Sequence, residues 1–269
     1  MNFLISLKYA LKEKETFWFS FSFFLSLIFF FEEFFSSFKD KIGIILVALF
    51  VSFFISWIRT LFRFQKEINL DQGRKAVILF GDLFKIESKI TVIPVNLFFD
   101  TEVDDKLISS HSIHGQFVNN IFKKDISELD NLISDSLNKQ KLNPEKKDRT
   151  HGKSFSYPPG TIAEITKDNH IYYLLALTDF DSNNIASCKL SDYYSVILSL
   201  IEYFNINGQG RDIAIPLLGS GLSRLGKENN IVLRNMISVF RMCAIPIRGK
   251  IRIVLFTSLR NEINLNEID

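Results

Sequence analysis

The chain has 269 residues and a mass of 31.1 kDa, enough for one large domain or a modest domain with an appendage. Hydrophobic residues make up 47% and charged residues 23%, which excludes a disordered chain. A formal charge of +2 excludes a polyanion binder driven by bulk charge. Cys188 and Cys243 stand far apart without C-x-x-C spacing, so they read as small core side chains rather than a disulfide framework or a zinc site.

The phenylalanines are split unevenly: of 28, 17 fall within residues 1–64. Phe17–Phe31 is wholly apolar or serine, Glu32 and Glu33 interrupt it, and Ile42–Ile58 carries no charge. A run of that length spans about 25 Å as a helix, close to the hydrocarbon thickness. The spacing predicts two transmembrane helices, about 17–38 and 42–62, within a segment 1–66. Lys8, Lys12 and Lys14 precede the first helix and Arg59, Arg63, Lys66, Arg74 and Lys75 follow the second. Positive charge at both ends places both termini, and everything after residue 66, in the cytoplasm. Ala48, Ser52 and Ser56 repeat every four residues, as do Ser22 and Ser26. Such stripes allow close helix packing in lipid, either inside one hairpin or between protomers.

Beyond Gln65 the composition is ordinary, and residues 70–262 read as one domain. Strands are predicted at Ala76–Phe80, Ile90–Val95, Thr161–Thr166, Ile171–Thr178, Ile213–Leu218 and Ile251–Phe256. The continuous apolar run at Ile90–Val95 suits a buried parallel strand. Helices are predicted at Gln116–Phe122, Ile126–Lys139, from a Ser191 cap to Asn207-Gly208, and at Asn229–Cys243. The charged stretch 139–153 reads as an exposed excursion. Alternating helices and short apolar strands imply a three-layer α/β domain with a mixed central sheet.

The sharpest local pattern is Pro216-Leu-Leu-Gly219-Ser220-Gly221-Leu222-Ser223-Arg224-Leu225-Gly226, a strand entering a glycine-rich loop that feeds a helix. Consecutive backbone N–H groups and a helix N-terminus there favour a phosphate, with Ser220, Ser223 and Arg224 as further donors. Gly221-x-x-x-x-Gly226-Lys227 imitates a P-loop, but Glu228 replaces the required Ser or Thr, which excludes an ATPase of that kind. His111 and His114 lack further ligands at metal spacing, so no metal site is expected. The Asp104-Asp105 pair reads as a solvated acidic turn, and no Ser-His-Asp order or activated cysteine is present to suggest a nucleophile.

Gly81-Asp82 after the first strand, Val92-Ile93-Pro94-Val95-Asn96 with a long loop behind it, and the Gly219–Gly226 loop together resemble a macro domain, a fold that recognises ADP-ribose and its derivatives. The resemblance implies that Asp82, with Leu83, meets adenine. It implies a first ligand loop running from Pro94, Val95 and Asn96 through Phe99, Asp100, Val103 and Asp104 to His114 and Gly115. Pro216, Gly219, Ser220, Gly221, Leu222, Ser223 and Arg224 would form a second loop around the diphosphate and distal ribose.

Finer motifs, Pro94-Val95-Asn96-x-x-Phe99-Asp100-Thr101, Ser112-x-His114-Gly115 and Tyr157-Pro158-Pro159-Gly160-Thr161, resemble a bacterial subgroup. There the macro domain follows two transmembrane helices and acts as an effector of Thoeris anti-phage defence. The resemblance implies a plasma-membrane protein that senses an ADP-ribose-derived messenger made by a TIR-domain enzyme, understood as histidine–ADP-ribose. It further implies association into homo-oligomers on activation and disruption of the bilayer or growth arrest. No cofactor and no nucleic-acid partner are expected; the sequence pI is about 8.4, without basic runs beside aromatics. Hydrolytic macro domains carry an asparagine- and glycine-rich first loop, whereas this chain has Asn96-Leu-Phe-Phe99. That departure favours sensing, with no catalytic residue assigned, over the alternative of a membrane-tethered ADP-ribosyl hydrolase.

Overall fold

The computed structural model describes residues 14–30, 38–61, 63–70, 73–180, 186–220, 226–243, 245 and 248–268. The chain divides into two units, residues 67–263 and residues 1–66 with 264–269.

The apolar runs become the centre of one sheet, which belongs to the larger unit from Glu67 onward. Its strands are β1 (Gln65–Asn69), β2 (Lys75–Phe80), β3 (Ile90–Asn96), β6 (Ile162–Lys167), β7 (His170–Phe180), β9 (Ile213–Pro216) and β10 (Ile251–Leu255). A two-residue ribbon pairs β4 (Glu145–Lys146) with β5 (Phe155–Ser156), and β8 (Ala186–Ser187) pairs β7 off the main path. The spatial order is β1-β2-β10-β9-β3-β7-β6. β2, β10, β9, β3 and β7 pair in parallel, and β6 returns antiparallel to β7 through the Asp168-Asn169 turn, so the sheet is mixed as expected. β3 is central because both its faces are apolar: Ile90, Val92 and Ile93 are fully enclosed.

The helices bury single stripes. Helix α4 (Ile126–Asn138) places Leu129, Ile133 and Leu137 in the core at four-residue spacing, each worth about 1.5–3 kcal/mol over exposure. Its N-terminus is capped by Asp125, whose carboxylate accepts from the Glu128 amide at 3.0 Å. Helix α5 (Leu190–Asn207) buries Tyr193, Val196, Ile197, Leu200, Ile201 and Phe204, and α6 (Asn229–Met242) buries Val232, Leu233, Met236, Ile237 and Phe240.

Three local expectations are corrected. Lys189, not Ser191, stands at the N-cap of α5; Ser191 lies within the first turn, where its hydroxyl meets the Asp192 carboxylate at 3.0 Å. The predicted helix at Gln116–Phe122 is instead one α-turn, α3 (Ile113–Gln116), followed by a π-turn over Phe117–Ile121. The excursion 139–153 is only partly exposed: it carries β4, which pairs with β5 just beyond it, and its Arg149 side chain is 10% exposed.

The smaller unit holds α1 (Lys14–Phe30, 17 residues) and α2 (Phe38–Leu61, 24 residues), which pack on each other. The first helix therefore begins earlier than expected, and residues 31–37, which include Glu32 and Glu33, fall outside the described residues. Among the described residues no helix is long and apolar enough to cross a membrane, so the predicted transmembrane hairpin has no support in this fold. At 1.5 Å per residue α1 covers about 25 Å, against a hydrocarbon core of about 30 Å. Ala48, Ser52 and Ser56 are buried within the single chain, whereas Ser22 and Ser26 are exposed. The two serine stripes therefore do not face one another.

Candidate functional site

The parallel strands all point the same way, so the segments following β2, β3, β7, β9 and β10 meet along one edge. Gly81 donates to the Leu255 carbonyl (2.9 Å), Leu97 to Thr178 (2.9 Å) and Leu217 to Val254 (3.3 Å), tying these segments together. β3 pairs with β9 only at Ile90–Ile213 and Thr91–Ala214, although both strands continue, whereas β3 stays paired with β7 as far as Asn96. Pro94 and Pro216, which lack the N–H a ladder needs, lie in the unpaired halves. The sheet thus parts between β3 and β9 at its C-terminal edge, the place where open α/β sheets bind ligands. The first predicted loop leaves one lip of this crevice and the second leaves the other.

On the β2 side, Asp82 caps a short 3-10 turn, Leu83–Lys85; its carboxylate accepts from the Phe84 amide at 3.1 Å and keeps 46% of its side chain exposed. Leu83 is buried in the core, so of this pair the aspartate alone offers a polar group to solvent.

The first loop is built around Asn96 and Asp100. The buried Asn96 side-chain oxygen accepts from the amides of Phe98 (3.1 Å) and Asp100 (3.2 Å), so that oxygen is committed to folding the loop. Phe99 is enclosed with φ at +52°, a left-handed conformation that a bulky side chain adopts only where its surroundings enforce it. Asp100, 2% exposed, receives the Lys153 amide at 2.6 Å and the Arg149 guanidinium at 3.1 Å. Gly152 lies against the same carboxylate with φ at +80°; a Cβ there would stand 2.6 Å from its oxygen. The Lys153 ammonium reaches the Phe99 carbonyl at 2.7 Å and Asp130 at 2.5 Å, and Asp130 also accepts from Thr101 at 2.8 Å. Arg149, Gly152 and Lys153 thus form a floor under the loop. Nothing local in the sequence marks Arg149 as a partner of a residue 49 positions earlier; only the Arg-x-x-Gly-Lys order inside a charged stretch was available as a signal.

His114 is buried beside this floor. Burial, and then the Lys153 charge, pull its imidazole from 6.5 down to about 3, against an opposing hydrogen bond to the Asp100 main chain. It is therefore neutral at physiological pH, while His111 is exposed. Gly115 has no room for a side chain, because a Cβ would lie 2.1 Å from the Ser109 carbonyl oxygen. Ser112 caps the turn by accepting from the Gly115 amide at 2.9 Å.

Val95 is buried and Val103 packs against the same core, so both support the loop from behind. Asp104 is an exposed turn residue whose carboxylate accepts from Leu107 (2.8 Å) and Lys106 (2.9 Å). Its slight burial pushes its pKa up, but these amides hold it below the usual carboxylate value.

On the second lip, Pro216 is buried and Gly219 sits at φ +83°, with the Ser220 hydroxyl donating to Leu217 at 2.8 Å. Tyr193 donates to the Leu218 carbonyl at 3.1 Å from within the core, which anchors the strand end. Gly221, Leu222, Ser223 and Arg224 lie outside the described residues. Glu228 stands at the N-cap of α6 without a side-chain bond to the helix. Among the described residues no group of three or more His, Cys, Asp or Glu side chains could hold a metal ion.

The profile of the Thoeris protein ThsA macro domain matches residues 77–256, which run from β2 to the end of β10 and contain both lips of the crevice. This chain belongs to that family. A Thoeris protein ThsA from Bacillus amyloliquefaciens (strain Y2) is 32% identical over 235 residues, covering 84% of this chain and 76% of the relative. Among solved structures, the Oceanobacillus iheyensis macrodomain with ADP is 12% identical, covers 72% of this chain and 88% of that one, and superposes with a TM-score of 0.48. Thermosipho africanus DarTG in complex with ADP-ribose is 20% identical, covers 72% of this chain and 44% of that one, with a TM-score of 0.41. The match to the ThsA macro-domain family agrees with the α/β architecture of this chain, whose strand pairing makes the sheet mixed.

Proposed function

We propose that this chain is a Thoeris effector whose macro domain senses an ADP-ribose-derived nucleotide messenger, histidine–ADP-ribose being the foremost candidate. The observation that carries the reading is the ThsA macro-domain match across both lips of the crevice. In this reading Asp82 at one end would receive adenine, the Gly219-Ser220 turn in the middle the diphosphate and the Asn96–Asp100 loop opposite the distal ribose. The messenger would come from a TIR-domain enzyme, and no cofactor takes part.

The N-terminal unit is proposed as a plasma-membrane anchor with both termini in the cytoplasm and the macro domain on that side. Its support is compositional: Ile42–Ile58 lacks charge, and Trp18, Phe19, Phe23, Leu46, Val47 and Phe50 expose large apolar surfaces. Ligand binding would shift the chain toward an oligomer that disrupts the bilayer or arrests growth, which requires tighter binding to the active state than to the resting one.

A sensor role without turnover is favoured over an ADP-ribosyl hydrolase because the Asn96 side-chain oxygen is already engaged by two loop amides. Calorimetry of the chain with ADP-ribose, histidine–ADP-ribose, NAD and ATP tests the reading. Binding is expected for the first two, with no product after hours of incubation with ADP-ribosylated protein. Absence of binding to both ADP-ribose compounds would overturn the sensor reading, and released ADP-ribose in excess of protein would replace it with the hydrolase.

A further inference from the structure

The loop after β3 holds a strained residue whose restraint comes from far along the chain. Phe99 is 1% exposed with φ at +52°, a conformation that a bulky residue keeps only where its surroundings over-determine it. Both ends of the residue are tied. Its amide donates to the Asn96 carbonyl at 3.1 Å, and its carbonyl accepts from the Lys153 ammonium at 2.7 Å. Lys153 holds the next residue as well, its amide donating to the Asp100 carboxylate at 2.6 Å. The same ammonium meets Asp130 of α4 at 2.5 Å, and Asp130 accepts from the Thr101 hydroxyl at 2.8 Å. Phe99, Asp100 and Thr101 are therefore all secured by or through one lysine, 54 positions from Phe99 along the chain.

The Lys153 and Asp130 side chains are 35% and 37% exposed. An ion pair open to water to that degree adds little to global stability. Its consequence is local. Without the ammonium the Phe99 carbonyl loses this donor, and the left-handed residue loses a bond that opposes relaxation toward the extended region. The chain would then take another path at the lip where the loop leaves β3. Asn96 does not substitute, because its side-chain oxygen accepts from the Phe98 and Asp100 amides and offers nothing to the Phe99 carbonyl.

We infer that Lys153 is a positioning residue for ligand binding: it holds the loop after β3 in the shape that receives the part of the nucleotide beyond the diphosphate. The inference rests on the proposed ADP-ribose-type ligand. Lys153 touches no ligand in this role and acts through the Phe99 carbonyl, Asp100 and Asp130. Its effect is confined to ligands long enough to reach the loop. A ligand that ends at the diphosphate does not sense it.

The test is calorimetry on the full-length protein with two probes, ADP and ADP-ribose, which differ only in the distal ribose. Lys153→Met keeps the stem and the amide and removes the ammonium. It should lower the ratio of ADP-ribose to ADP affinity about tenfold, the scale of one charge-assisted hydrogen bond, while leaving ADP affinity within about twofold. Lys153→Arg retains a charged donor and should keep the ratio within about threefold of the wild type. An unchanged ratio in Lys153→Met overturns the inference, and so does an equal loss for both probes, which is the mark of general loosening. A fall in Lys153→Arg as large as in Lys153→Met overturns it too. Wild-type protein that binds ADP-ribose no more tightly than ADP overturns the inference and leaves the sensor reading intact; failure to bind ADP-ribose at all, or histidine–ADP-ribose, overturns both. Should Lys153→Met not fold, Asp130→Asn discharges the same pair from the other side, and a ratio equal to the wild type's in that variant overturns the assignment.

Discussion

His114 and Asp82 show how two polar residues on one edge are put to opposite uses. An unfolded imidazole takes up a proton near 6.5 and the buried His114 only near 3, so between those values the unfolded chain binds more protons. Stability therefore rises with pH across that window and is lost on acidification. From pH 7 to pH 5 this group alone should cost about 2 kcal/mol. The difference should appear in urea midpoints, and His114→Gln should flatten the pH dependence by that amount. Asp82, by contrast, is half exposed and caps only a short turn. Asp82→Ala should weaken binding of histidine–ADP-ribose by at least about 1 kcal/mol in calorimetry. Asp82→Asn retains the cap and isolates the charge. Unchanged affinity in a folded Asp82→Ala variant would remove the residue from the site.

At the scale of elements, the feature that matters most is the closure of segment 139–156 onto the loop after β3. The ribbon of β4 and β5 brings Arg149, Gly152 and Lys153 against one buried carboxylate, and the Tyr157 amide donates to the Leu97 carbonyl at 2.9 Å just beyond it. Gly152 is the least replaceable member, because both its φ and the approach of Asp100 exclude a side chain. Gly152→Ala should cost more than about 1 kcal/mol of stability. Because the strain falls on Asp100, hydrogen exchange should also rise at the amides of Phe98 and Asp100, which bond to Asn96. Equal exchange in the variant would mean that segment and loop are independent. Little of this was legible beforehand: the segment's composition is that of an exposed excursion, and a contact across 49 residues leaves no periodic trace. The strands and long helices were legible, because burial of an apolar face imposes a period of two or 3.6, or a continuous run, on the sequence itself.

For the whole molecule, the prediction concerns where the protein resides. The full chain should sediment with the membrane fraction, and a variant lacking residues 1–62 should move to the soluble fraction. Recovery of the full chain as a soluble species would exclude the anchor. Ser52 and Ser56 are buried within one chain, so leucine at those positions is expected to disturb the packing of α1 on α2 rather than to report on contacts between protomers.

The sequence by itself determined the division into an aromatic N-terminal segment and an α/β domain, the order of the main strands and helices, and the two loops that border the crevice. It did so because each rests on local chemistry: apolar periodicity, glycine and proline at turns, and an aspartate or asparagine at a strand end. It also carried the family, since the motifs that resemble a macro domain are contiguous. Tertiary structure alone decided what those residues do. Asn96 organises its loop, Leu83 and Val95 belong to the core, and His114 is a neutral buried group. The crevice exists because β3 and β9 part after two paired residues, a property of two strands together that neither segment encodes alone. Arg149 is buried only because Asp100 and the rings of Phe98 and Phe180 converge on it from other parts of the chain.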